Sequence, residues 1–147
     1  VYPVATYTKY NSAIEQIANK IMDFLGNQDV YKAAIHTDAP VVATDTVLAD
    51  LTQIGGSNGY TTGGADIGFN STRTGGTITA TAVDVTWTAT GGNLGASVAG
   101  RYVSIYDDTP TSPADPLLCS FDYGATFTVA DGETFTLDFG ASLATLA

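Results

Sequence analysis

The chain is poor in the residues that carry most protein chemistry. Among 147 residues there is one cysteine (Cys119), one histidine (His36) and five bases against 15 acids. A single cysteine forms no internal disulfide. Zinc sites need several His or Cys ligands, and only these two are present. His36 has no GxSxG partner motif, so nucleophilic acyl transfer has no visible constellation. The glycine pairs match neither GxGxxG nor a P-loop, and no lysine follows them to meet a phosphate. Asp107-Asp108, or Asp131 with Glu133, are the two places where carboxylates cluster as if for calcium, but no EF-hand spacing surrounds them. Neither a metal, nor a cofactor, nor a catalytic residue is therefore expected. Glycoside hydrolysis by paired carboxylates depends on spatial separation, which sequence does not give.

Charge is scarce as well. Charged residues make up 14% of the chain, well below the roughly 25% of an average soluble domain. The net charge of −10 repels a phosphate backbone, so nucleic acid is not an expected partner. No run of 18 apolar residues occurs, so no membrane span is expected. A charged n-region followed by an apolar h-region is missing too, so no signal peptide is expected, and the Asn70-Ser71-Thr72 sequon is then a chance match.

What is present is β-sequence. The length suits one domain, 1–147. Residues 101–107 (RYVSIYD), 116–124 (PLLCSFDYG), 126–129 (TFTV) and 134–139 (TFTLDF) alternate with period two, the pattern of half-buried strands. Val103 and Ile105 share one face of their strand. Leu117, Cys119, Phe121 and Tyr123 share one face of theirs, which makes Cys119 a buried thiol. A two-residue turn at Asp131-Gly132 would put apolar faces out of register. A three-residue loop, 130–132, pairs Val129 with Glu133 and Phe127 with Phe135, with Gly132 in the left-handed position. Residues 30–36 read as another strand, and 46–51 as a short helical turn within a long connection. Twelve of the 16 glycines fall between 55 and 100, four times as pairs that punctuate short strands. Within TITATAVDVTWTAT (77–90) the alternation changes phase near Ala82-Val83, which predicts a bulge, with Trp87 as a core anchor.

One helix is expected, at 12–25. Ser12 and Glu15 form a capping-box pattern, Ile14, Ile17, Ala18, Ile21, Phe24 and Leu25 make an apolar stripe, and Gly26 suits the C-terminal cap. It packs across a sheet or, alternatively, binds a partner. Residues 1–11 are extended around Pro3. They form either an edge strand on their own domain or an arm that carries Tyr2, Tyr7 and Tyr10 to a neighbouring subunit. The whole reads as a mainly β fold: an antiparallel β-sandwich or barrel at 30–147 with one N-terminal amphipathic α-helix.

The segments VLADLTQI, GYTTGGADI, ATAVDVTWTATGG, RYVSIYDDT, PLLCSFDYG and VADGETFTLDF, spread over residues 47–140, resemble small virion proteins of tailed bacteriophages. That resemblance implies a β-rich protein of the phage particle, assembled in the host cytoplasm. The role it favours is a capsid decoration or cement protein on the capsid exterior, bound to the major capsid protein as a homo-oligomer, with a trimer favoured. Tyr2, Tyr7 and Tyr10 would then be interface residues. A tail or head–tail joining component is the alternative. A module that binds or cleaves host-surface sugar comes third.

Overall fold

A computed structural model describes residues 5–25, 29–96 and 98–147. Tyr2 and Gly26 lie outside the described residues. In chain order the elements are β1 (Thr6–Lys9), α1 (Ser12–Ala18), β2 (Tyr31–His36), a 3-10 turn (Leu48–Asp50), β3 (Ala65–Asp66), β4 (Asn70–Thr74) and β5 (Thr77–Thr81). Then come β6 (Val85–Thr88), β7 (Gly100–Asp107), β8 (Leu117–Phe127), β9 (Thr134–Leu137) and β10 (Ala144–Leu146). The fold is mainly β with antiparallel sheets and one α-helix, and none of the sheets formed by the described residues closes into a barrel. A five-stranded sheet runs β1-β8-β7-β2-β3, a three-stranded sheet β10-β5-β4, and β6 pairs with β9.

β7 and β8, with β2, make the centre, and β7 is buried on both faces. On one face Val103, Ile105, Ile35 and Cys119 pack with Ala80 of β5, Val85 and Trp87 of β6, and Leu137 of β9. On the other face Tyr10, Ala34, Tyr106 and Leu117 lie beneath Leu48 and Leu51. Period-two side chains of β2 and β7 feed both cores at once, which explains why these two strands carry few polar residues.

Several expectations change. Leu117 and Cys119 do not share a face. Ile105 faces Cys119 while Tyr106 faces Leu117, so Leu118 is the extra residue of a bulge and Leu117 turns to the opposite core. Residues 117–127 form one strand rather than two, with a second irregularity around Gly124, whose φ is +91°. The 126–139 hairpin ladder does not form. β9 pairs instead with β6, Trp87 opposite Phe135. The loop keeps its expected left-handed Gly132, and Glu133 N–H donates to the Ala130 carbonyl at 2.8 Å. Phe127 and Phe135 still meet, as stacked rings 4.3 Å apart, but across sheets. The phase change at Ala82-Val83 is likewise a change of sheet, from β5 to β6, rather than a bulge within one strand.

The helix is shorter than expected and ends at Ala18. Its end is a Schellman motif. Ile21 N–H donates to the Gln16 carbonyl (2.9 Å) and Lys20 N–H to that of Ile17 (3.1 Å), with Lys20 left-handed at φ +57°. The capping box is not made: Asn11 precedes the first turn without a side-chain cap, and the Ser12 hydroxyl has no hydrogen-bond partner. Ile14 faces solvent, and Ile21, Phe24 and Leu25 follow the helix as irregular chain.

Candidate interaction surface

β1 is an edge strand. Among the described residues it pairs only with β8, Thr6 opposite Asp122 through Lys9 opposite Cys119, and all four of its residues are exposed. Tyr10 N–H donates to the Leu118 carbonyl at 3.1 Å. Antiparallel alternation therefore turns the amides and carbonyls of Thr6 and Thr8 toward β8, and those of Tyr7 and Lys9 outward. The side chains of Tyr7 and Lys9 sit on the same face as Phe121 and Cys119, over the larger core.

Three grooves open along this side. The first, about 340 Å³, lies between the end of α1 and the sheet of β5 and β10, with Ile17, Lys20, Phe24, Leu25 and Leu146 in its walls. The second, about 470 Å³, adjoins it through Ile17, Phe24 and Leu146 and is lined by Tyr7, Lys9 and Ile14 as well. The third, about 560 Å³, begins at Ala5 beside β1 and is lined by Phe121, Tyr123, Phe135 and Leu137, with Arg101 and Asp138. Tyr7 bridges the second and third, its ring meeting Phe121 edge to face at 5.6 Å. Ile14, Leu25 and Tyr7 are 48, 45 and 43% exposed, an unusual outlay of apolar surface gathered at one place. Burial and the neighbouring Cys119 thiol push the Tyr7 phenol well above its usual range. It is a neutral hydrogen-bonding group at any physiological pH.

Both signs of charge occur on this side: Asp23 lines the first groove and Asp138 the third, beside three of the bases. Of the chain's five bases, Lys20, Lys9 and Arg101 line the three grooves in turn. Arg101 is held by a two-pronged contact to Asp122, 3.0 and 3.1 Å, which keeps that carboxyl below the usual carboxylate range. Lys9 and Lys20 meet no carboxylate among the described residues.

The three tyrosines expected at an interface separate. Tyr7 lies on this surface. Tyr10 does not: it is fully buried in its own chain's second core, so residues 6–10 belong to the body and are no arm. Parity carried this signal, because residues three apart on a strand face opposite sides.

Beneath the surface lies a buried polar chain that no local sequence pattern announces. The His36 Nδ1 is 3.0 Å from the Asp38 carbonyl, which only accepts, so Nδ1 carries the proton. Nε2 is then an acceptor and takes the Ser104 hydroxyl proton at 2.8 Å, and Ser104 Oγ accepts from the Tyr10 hydroxyl at 2.8 Å. Burial holds the His36 imidazole below its ordinary range, against the pull of Asp38. Ser, His and Asp are the residue types of a hydrolytic triad. Here Ser104 and His36 are both fully buried, the Asp38 carboxylate is a distant 3.4 Å from the ring, and none of the three grooves reaches them. The chain ties β1's end to β7 and β2 and thereby fixes the edge in place.

At the other end of β7, Asp107 is fully buried. Its Oδ1 accepts from Thr109 N–H at 3.0 Å, and its Oδ2 meets no donor. Burial first, and the adjoining Asp29 carboxyl second, push Asp107 up to about 8, so near neutrality it is protonated. No group of three or more His, Cys, Asp or Glu among the described residues is placed to hold a metal ion. No helix of the described residues is long and apolar enough to cross a membrane. Compared with known proteins, the chain matches no family model, no curated protein and no solved structure.

Proposed function

We propose that this chain is a structural component of a tailed-phage particle, a decoration or cement protein that binds the outer shell and strengthens contacts between capsomers. The observation that carries it is the open side of the molecule: a strand edge left unpaired by the described residues, beside three adjoining apolar grooves. Such a surface suits a macromolecular partner that contributes both backbone and apolar side chains. The sequence resemblance points the same way. The partner in this reading is the major capsid protein, with the chain itself assembling as a homo-oligomer, a trimer being favoured. The two smaller sheets lying over one face of the large one make a sandwich-like body, rigid enough to present that edge. Quantitative mass spectrometry of purified particles, scaled to the major capsid protein, tests the proposal. Hundreds of copies per particle support decoration. A few copies move the chain to the tail or a vertex, and absence from the particle removes the virion reading.

One observation favours a second reading, recognition of a host-surface sugar. Phe121, Tyr123 and Phe135 share the third groove with Arg101 and Asp138, a combination of aromatic faces and charged groups that suits a saccharide. Binding to a glycan array that Tyr123→Ala removes would favour it; a blank array would count against it.

A further inference from the structure

We infer that the β1 edge is completed by an extended, acidic segment of a partner protein, laid antiparallel or parallel as a sixth strand of the five-stranded sheet, with its apolar residues in the adjoining groove. The inference rests on the reading of this chain as a component of a larger assembly, and it adds the chemistry of the segment that holds it there.

Three observations converge on that occupant. The first is the backbone. Tyr7 and Lys9 turn their amides and carbonyls outward, and β1 carries no proline or bulge to protect them. A strand in that position gains main-chain hydrogen bonds from both residues. The second is the apolar wall. A partner strand's alternate side chains on the inner face would meet Tyr7 and the groove lined by Ile14 and Leu146. The third is charge. Lys9 and Lys20 stand at this groove and its neighbour without carboxylate partners among the described residues, on a chain whose net charge is −10. Lys20 also occupies the left-handed position that glycine usually takes at a helix end.

Charge argues against a second copy as the occupant. An antiparallel copy centred on Thr8 would set each Lys9 opposite Tyr7 and bring the two Lys9 side chains into diagonal contact on one face, with two unpaired like charges. Acidic residues on the incoming strand remove that repulsion and pair both lysines.

The test uses an acetylated, amidated six-residue peptide, Thr-Val-Thr-Glu-Thr-Val, whose valines and glutamate share one face as Tyr7 and Lys9 do, and its counterpart with lysine in place of glutamate, titrated into the isotope-labelled full chain. The amide resonances of Tyr7 and Lys9 are expected to shift, with the glutamate peptide binding at least about 10-fold tighter than the lysine peptide. Lys9→Pro removes an outward N–H and the Lys9 ammonium together and leaves the β8 ladder, so binding falls at least about 10-fold; Lys9→Gln removes the charge alone and is expected to bind more tightly than Lys9→Pro. Should Lys9→Pro fail to fold, the doubly exchanged Lys9→Glu, Lys20→Glu chain tests the same point, because it is expected to reverse the peptide preference. No shift at either amide at millimolar peptide, equal binding of both peptides, or a concentration-dependent dimer that Lys9→Pro dissolves would each overturn the inference. Copy number on native particles is measured without any peptide, so a failed titration and a failed decoration reading are told apart.

Discussion

Two buried titratable groups pull the stability of this chain in opposite directions as pH changes. His36 has a folded pKa below its unfolded value, so the unfolded chain takes up protons first and stability falls as pH drops below about 6.5. Asp107 is the reverse case. Its folded pKa of about 8 stands above its unfolded value, so the folded chain holds a proton that the unfolded chain has already lost. Its contribution is complete below about pH 4 and is lost as pH rises toward 8. Melting temperatures between pH 6.5 and 9 are therefore expected to fall in the wild type and to be flat in Asp107→Asn, whose amide does not titrate. An unchanged slope in that variant would place the titration elsewhere. Tyr10→Phe removes the donor to Ser104 and, with it, the end of the His36 chain. It is expected to cost about 1–3 kcal/mol in denaturant unfolding, the range for a buried hydrogen bond whose partner is left unsatisfied. Neither network is legible in the sequence. Cys119 and Trp87 are legible as core because their own strands alternate. Ser104, His36 and Tyr10 are brought together only by pairing of strands far apart in the chain.

The elements show where local pattern stops deciding structure. Strand positions at 101–107, 116–124 and 30–36 are visible in the sequence because alternation is a property of one segment. Partner choice is not, and so β9 goes to β6 while Phe127 reaches Phe135 only through its ring. The apolar stripe of 12–25 misleads for a related reason. Ile14 and Leu25 are spaced as if for a core, but they line the surface grooves, and the Schellman turn at Lys20 ends the helix early. Replacing Lys20 by glycine removes the left-handed strain and is expected to stabilise the fold by about 0.5–1 kcal/mol in denaturant unfolding. The reverse applies at Gly64. There φ is +75° and a Cβ would overlap the Ala33 carbonyl oxygen, so this glycine lets the GYTTGG turn lie against β2. That turn is anchored from above: the Tyr106 hydroxyl donates to the Gly63 carbonyl at 2.7 Å, and Gly63 N–H donates to Gln53 Oε1 at 2.7 Å. Gly64→Ala is expected to destabilise by more than about 2 kcal/mol and to loosen the protection of β3 amides in hydrogen exchange.

At the scale of the molecule, the five bases illustrate what a linear sequence hides. They are scattered along the chain at 9, 20, 32, 73 and 101, yet folding gathers three of them on the side of β1. Lys32 is engaged elsewhere, 2.7 Å from Asp108. The acids outnumber the bases threefold, and Lys9 and Lys20, which meet no carboxylate within ion-pair distance among the described residues, are the charges at this edge that an acidic partner would meet. Unpaired charges of this kind speed and orient approach to an acidic partner more than they strengthen the final complex. Screening acts on them directly, because the Debye length falls from about 10 Å at 0.1 M salt to about 3 Å at 1 M. Rebinding of the isolated chain to particles stripped of it is therefore expected to slow as salt rises, with the dissociation rate changing little. The Lys9→Glu, Lys20→Glu chain is expected to bind slowly at low salt and to associate faster as salt screens the repulsion, the opposite dependence. Association followed by surface plasmon resonance on immobilised particles separates the two rates. If salt altered dissociation and left association untouched, the charges would be acting as fixed contacts inside the interface. The long-range steering assigned to this edge would then be wrong.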